Sequence, residues 1–180
     1  MKTCVFQTLA TSGLALFTAV SLIAADAPAT PKVGDKAPLV EGLDQDGKTW
    51  KLADQAGKNA VLLYFYPKDD TAGCTREACG FRDSMADLQK NNVQVIGVSF
   101  DSAESHKGFI AKYNLNFPLI ADTDGKIADA YGARRPDRNV ARRVSFLIGP
   151  DGRIVHVTDS GSADAHVTEM KEAAGKLKKD

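Results

Sequence analysis

Cys74 is the residue best placed for chemistry in this sequence. It lies in the run Pro67-Lys-Asp-Asp-Thr71-Ala-Gly73-Cys74-Thr-Arg-Glu77-Ala-Cys79. The apolar and aromatic stretch Val61 to Tyr66 precedes this run and reads as a buried strand closed by the proline. Thr75 to Gln89 reads as a helix, because Ala78, Phe81, Met85 and Leu88 recur at three- and four-residue steps. Cys74 therefore falls where a strand hands over to a helix. The free backbone N–H groups and positive dipole end at such a place favour a thiolate, the nucleophilic form of cysteine. A lone cysteine on an apolar helix is more often a small buried hydrophobe, and that reading fits Cys79 between Ala78 and Phe81. It fits Cys74 less well, since Ala72-Gly73 precede it and Thr75-Arg76-Glu77 follow. Thr71 and Pro67 each have a plain reading as well, a turn threonine and a strand terminator.

The elements around this run alternate between strand and helix. Leu43 to Leu52 reads as a hairpin about Asp46-Gly47, with Trp50 in the core. Val93 to Phe100 is a second buried strand, and Ser102 is the N-cap candidate of a helix reaching Tyr113. A short strand spans Phe117 to Ala121, with Pro118 marking an edge, and a short helix spans Ile127 to Tyr131. Val144 to Ile148 and Arg153 to Thr158 form a hairpin around Pro150-Asp151-Gly152. Ala163 to Lys178 closes the chain as a helix with lysines in its last turn. This order predicts an α/β fold with a central mixed sheet flanked by helices and an N-terminal β-hairpin.

Pro67-x-x-x-Thr71-x-x-Cys74 resembles the active-site signature of the peroxiredoxins. Cys74-Thr-Arg-Glu-Ala-Cys79 resembles the Q-type, bacterioferritin-comigratory branch of that AhpC/TSA family. The likeness runs from about Val33 to Leu177. It implies a thioredoxin-like fold in its peroxiredoxin form, and a thiol-dependent peroxidase that reduces hydrogen peroxide and organic hydroperoxides without a cofactor. Cys74 is then the peroxidatic thiol. Thr71 hydrogen-bonds the sulfur or the peroxide, Pro67 stiffens the turn and keeps out water, and the N–H groups of Gly73 and Cys74 add donors. Arg143-Val-Ser-Phe-Leu-Ile148 matches the strand that carries the family's arginine, so the resemblance assigns Arg143 to the sulfur. Glu77 either orients that arginine or is a solvated first-turn glutamate. The resemblance also makes Cys79 the resolving thiol, which condenses with a sulfenic acid on Cys74 to an intrachain disulfide. On an intact helix, residues five apart have Cα atoms about 8.6 Å apart. A disulfide tolerates about 7 Å at most, so this pairing requires the helix to unwind. The sequence departs from the family pattern at Ala72, where proline is common, and at Ser145, where threonine is common.

The chain of 180 residues suits one domain with a sizeable core. Its 23 Lys+Arg balance 23 Asp+Glu, which gives no overall pull toward nucleic acid or an acidic membrane. Cys4 lies in an N-terminal stretch with Lys2, an apolar run from Gly13 to Ala25 and Ala25-Asp26-Ala27. That pattern predicts a cleaved signal peptide over residues 1–27, a domain over 28–180, and a periplasmic or secreted protein with no membrane contact after cleavage. Ala27 to Pro38, rich in Pro and Ala, reads as poorly ordered. Arg134, Arg135, Arg138, Arg142 and Arg143 form a cluster, either a solvated loop or a positive funnel for anionic oxidants or an acidic partner. The resemblance further implies a thioredoxin-like reductant and a monomer. Two rival readings are a thiol–disulfide exchange protein and a copper-delivery module. The first needs Cys-x-x-Cys. The second needs a partner histidine, and His106, His156 and His166 lack metal-ligand spacing.

Overall fold

The structure, a computed structural model, describes residues 30–177. The predicted signal segment, residues 1–27, and Lys178 of the closing helix lie outside the described residues. A two-stranded hairpin opens the fold, β1 (Glu41–Leu43) with β2 (Thr49–Lys51), and a 3-10 turn over Leu52–Gln55 follows. The chain then runs through β3 (Ala60–Phe65), α1 (Ala72–Asp83), α2 (Met85–Lys90), β4 (Val93–Ser99) and α3 (Ala103–Tyr113). It ends with β5 (Leu119–Ala121), α4 (Lys126–Ala130), β6 (Val144–Ile148), β7 (Ile154–Asp159) and α5 (Ala163–Gly175).

Five strands form one mixed sheet in the order β5-β4-β3-β6-β7. β3, β4 and β5 are parallel, whereas β6 and β7 run antiparallel to their neighbours. β3 is central and every one of its residues is buried, because both faces of the sheet are covered. Its side chains alternate between two cores. Val61, Leu63 and Phe65 pack with Trp50, Tyr131 and Phe146 on one face. Leu62, Tyr64 and Tyr66 pack with Cys74, Phe81 and Met170 on the other. Cys74 therefore belongs to the face that α1, α2 and α5 cover.

Three expectations from the sequence are corrected. The predicted helix from Thr75 to Gln89 begins earlier and is two helices. Small Ala72 and Gly73 fit a first helical turn, and at Ser84 the backbone tightens, its N–H donating to Gly80 and Phe81 carbonyls. The closing helix ends at Gly175, so its lysines fall at and beyond the C-cap, Lys176, and not in the last turn. The Pro/Ala-rich entry is pinned within the described residues. Gly34 N–H donates to Ile154 O at 2.8 Å and Ala37 N–H to Gly152 O at 2.9 Å, while Arg142 Nη2 donates to Thr30 Oγ1 at 2.9 Å.

Candidate active site

Thr71 is the N-cap of α1, so Ala72, Gly73 and Cys74 are its first three helical residues. Their N–H groups have no partner within the helix, and the Thr71 side chain caps none of them. Cys74 packs inward at 1 % exposure. Arg143 arrives from the start of β6, beside β3, and its Nη2 donates to Cys74 Sγ at 3.3 Å. Its Nη1 donates to Glu77 Oε2. Gly73 makes room for this, since a Cβ there would lie 3.2 Å from Arg143 Nη2. The predicted meeting of Cys74, Arg143, Glu77 and Gly73 is thus present in the fold.

The Glu77 carboxyl is wholly buried. Burial pushes its pKa up to about 8, although the Arg143 guanidinium beside it works in the opposite direction. Arg143 remains a cation. Burial works against its charge, and Glu77 and Cys74 beside it more than compensate. Glu77 Oε1 has no hydrogen-bond partner and lies 3.5 Å from Nδ1 of His166, also fully buried. His166 Nε2 faces the Ser160 carbonyl at 3.0 Å and so carries the hydrogen. Nδ1 is then left with one lone pair, and Ser145 Oγ lies 2.7 Å from it. Burial lowers the His166 pKa, which keeps the ring neutral. The departure at Ser145 therefore has a definite use, a bond to an imidazole. From the sequence His166 reads as a surface or packing residue. Its signal is a polar ring in the buried stripe Ala163, His166, Met170 and Ala174 of α5.

Two predicted residues behave differently from expectation. The Thr71 hydroxyl donates to Lys68 O at 3.1 Å and makes no bond to the sulfur. Helix formation from Ala72 onward turns Thr71 into the boundary residue, and the nearby turn carbonyl takes its hydrogen. Its oxygen lone pairs stay free to accept. Pro67 lines an open cleft of about 390 Å³ together with Arg143, Arg142, Arg135, Asp159 and Ser160. A larger groove of about 520 Å³, between the β6–β7 turn and α5, holds neither cysteine. Cys79 is a half-buried free thiol in the third turn of the intact α1.

The turn before Cys74 is tied to α3. Asp69 accepts from Tyr66 Oη at 2.7 Å and Ser105 Oγ at 2.7 Å, and it lies 2.9 Å from His106 Nδ1. Asp70 has a positive φ of 54° and is held by Lys112 at 2.6 Å and by the Tyr113 hydroxyl. Aspartate tolerates that left-handed backbone better than most residues. These ties hold the turn in place although Ala72 brings no ring to stiffen it. Each arginine of the cluster has an acidic partner. Arg134 pairs with Asp129, Arg135 and Arg138 share Asp137, Arg142 pairs with Asp159, and Arg143 meets Glu77. The cluster lies on a loop before β6 that is exposed over residues 136–139, in keeping with the solvated-loop reading, with its arginines paired to neighbouring carboxyl groups.

The AhpC/TSA family profile matches residues 33–157. This chain belongs to the AhpC/TSA family. A putative peroxiredoxin bcp from Coxiella burnetii is 42% identical over 145 residues, 77% of this chain and 95% of that protein. Among solved structures, peroxidoxin BcpB from Mycobacterium tuberculosis matches with a TM-score of 0.78 and 29% identity, covering 83% of this chain and 99% of that one. Xanthomonas campestris peroxiredoxin Q matches with a TM-score of 0.70 and 29% identity, over 76% and 89%. The AhpC/TSA member described here is accordingly a thiol-dependent peroxidase with the thioredoxin-like peroxiredoxin fold, a peroxide as substrate and a thiol as reductant. Nothing among these relatives supports a thiol–disulfide exchange protein or a copper-delivery module. The export reading is corrected. The family match begins at residue 33, and the Coxiella relative is covered over 95% of its length without the leader, so these likenesses lend a signal peptide and a periplasmic place no support.

Proposed function

We propose that Cys74 reduces hydrogen peroxide and organic hydroperoxides by direct attack and that Cys79 resolves the product. The single observation that carries this reading is the guanidinium of Arg143 at 3.3 Å from a buried sulfur. The Cys74 thiolate attacks one peroxide oxygen, and an S–O bond forms as the O–O bond breaks. The leaving hydroxide or alkoxide takes a proton and departs as water or alcohol. Arg143 and the unpartnered N–H groups of Gly73 and Cys74 face the charge that develops on oxygen. The Thr71 hydroxyl, with its lone pairs uncommitted, accepts from the incoming peroxide. Pro67 walls the cleft through which that peroxide arrives.

Cys79 then attacks the sulfenic sulfur, a disulfide forms and water leaves. Both thiols lie on one continuous helix in the reduced chain, five residues apart. An ideal helix keeps their Cα atoms about 8.6 Å apart. The first turns of α1 must therefore unwind before the bond closes. A thioredoxin-like dithiol reductant restores both thiols, and the protein works as a monomer; both follow from its likeness to the Q-type branch. The test is peroxide consumption with a dithiol reductant. Wild type turns over hydrogen peroxide and an alkyl hydroperoxide, and Cys74→Ser does not. Equal consumption by Cys74→Ser defeats the reading.

A further inference from the structure

Glu77 Oε1 is a buried carboxyl oxygen without a hydrogen-bond partner, and it faces a ring nitrogen, Nδ1 of His166, at 3.5 Å. That nitrogen has no hydrogen of its own, because Nε2 donates to Ser160, and its single lone pair can take one hydrogen, from the Ser145 hydroxyl at 2.7 Å or from Glu77. Two lone-pair atoms facing each other in a dry interior are unfavourable unless a proton lies between them. The charge balance points the same way. With Cys74 as thiolate, Glu77 ionised and Arg143 cationic, the cluster carries one uncompensated negative charge, and one added proton removes it.

We propose that His166 is a positioning residue of the peroxidatic site, which holds a proton jointly with Glu77 so that Arg143 directs its charge to Cys74. The proposal deepens the peroxidase reading and rests on it. With the proton in place, Glu77 Oε2 still accepts from Arg143 Nη1 as a neutral carboxyl oxygen. The guanidinium orientation is kept, and its charge is no longer divided between a carboxylate and the sulfur. Loss of the proton creates a second anion that competes for the same cation. The groups facing the pair are Cys74 from α1, Tyr64 from β3, Arg143 and Ser145 from β6, Asp159 and Ser160 from the end of β7, and Glu169 from α5. Of these, Glu169 is already committed to Thr158 Oγ1 at 2.7 Å and Asp159 to Arg142. Tyr64 is held far above its ordinary pKa by burial and stays neutral. The carboxyl of Glu77 is the group left to titrate, and burial places that event at about pH 8.

The experiment is the pH profile of Cys74 oxidation by hydrogen peroxide, read as a second-order rate constant from pH 6 to 9.5. It uses the full chain and its Glu77→Gln and His166→Leu variants. Formation of thiolate from thiol can only raise such a rate with pH. Wild type is expected to fall about tenfold on the alkaline side, the loss expected when a cation is shared with a second anion. Glu77→Gln, which has no proton to lose, is expected to show no fall, whatever its absolute rate. His166→Leu removes the acceptor, and the fall is expected to move about one pH unit lower. The carboxyl carbon resonance of Glu77, identified by its absence from Glu77→Gln, reads the proton without turnover. It is expected to titrate near pH 8. Superimposable profiles in wild type and Glu77→Gln, or a Glu77 resonance that titrates in the ordinary carboxylate range, overturn the proposal. A wild type that consumes no peroxide defeats the peroxidase reading instead, and the resonance still decides whether the proton is there.

Discussion

At the scale of single residues, the site is a sulfur and a guanidinium brought together across 69 positions of sequence. Cys74 was legible because its neighbours are local, with a strand, a turn and a helix start all inside one run. Arg143 was legible only through resemblance, since no periodicity links a residue before β6 to one in α1. His166 was legible only as a polar ring in an apolar stripe of α5, a pattern that does not reveal its serine and carboxyl neighbours. Replacing Arg143 with Met removes the cation at the reacting sulfur. The rate constant for Cys74 oxidation is expected to fall by about a hundredfold or more, measured by rapid mixing with hydrogen peroxide. Gly73→Ala tests the same contact more gently. Its Cβ would stand 3.2 Å from Arg143 Nη2 and push the guanidinium off line, so the rate drops, but by less than in Arg143→Met.

At the scale of elements, α1 is gripped on two sides. The turn before it is tied to α3 through Asp69 and Asp70, and its middle lies against α5. Gly80 sets that second contact, since a Cβ there would come within 2.6 Å of Val167 Cγ2. A β-branched side chain cannot swing away from such a clash. Gly80→Ala gains helix propensity, yet it is expected to lower stability by about 1–3 kcal/mol in denaturant unfolding. Burial works to raise the Asp69 pKa, but the bonds from His106, Ser105 and Tyr66 outweigh it and leave the carboxyl below its ordinary value. The stability it contributes is present above the ordinary value of 3.8 and is lost as pH falls through the folded value. Asp69→Ala is expected to cost about 3 kcal/mol at neutral pH, the cost of orphaning a buried partner, with the difference from wild type shrinking below pH 4 in acid titration. The elements themselves were largely readable from apolar spacing. The break at Ser84 was not, because Phe81, Met85 and Leu88 keep helical spacing straight across it.

At the scale of the molecule, a mixed sheet covered on both faces supplies the dry interior in which one carboxyl holds its proton. Glu77 releases that proton at about 8 when folded, against an ordinary 4.5. Between those values the folded chain binds more protons than the unfolded one, so this group's contribution to stability is full below 4.5 and declines toward pH 8. Thermal unfolding of wild type compared with Glu77→Gln is expected to show the variant gaining a few kcal/mol across that window. An unchanging difference contradicts the sign. The alternation of strand and helix announced the α/β class, but not which residues of two separate cores would meet at the cysteine. The resting fold also holds Cys74 and Cys79 apart on one helix, so the redox cycle needs a second arrangement of α1. The most direct test is mass analysis of the chain after one equivalent of hydrogen peroxide, in wild type and Cys79→Ser. Wild type is predicted to become two hydrogens lighter as a monomer with Cys74 joined to Cys79, and Cys79→Ser to gain one oxygen on Cys74. An unmodified Cys74 in both, or a bridge between two chains, contradicts the account.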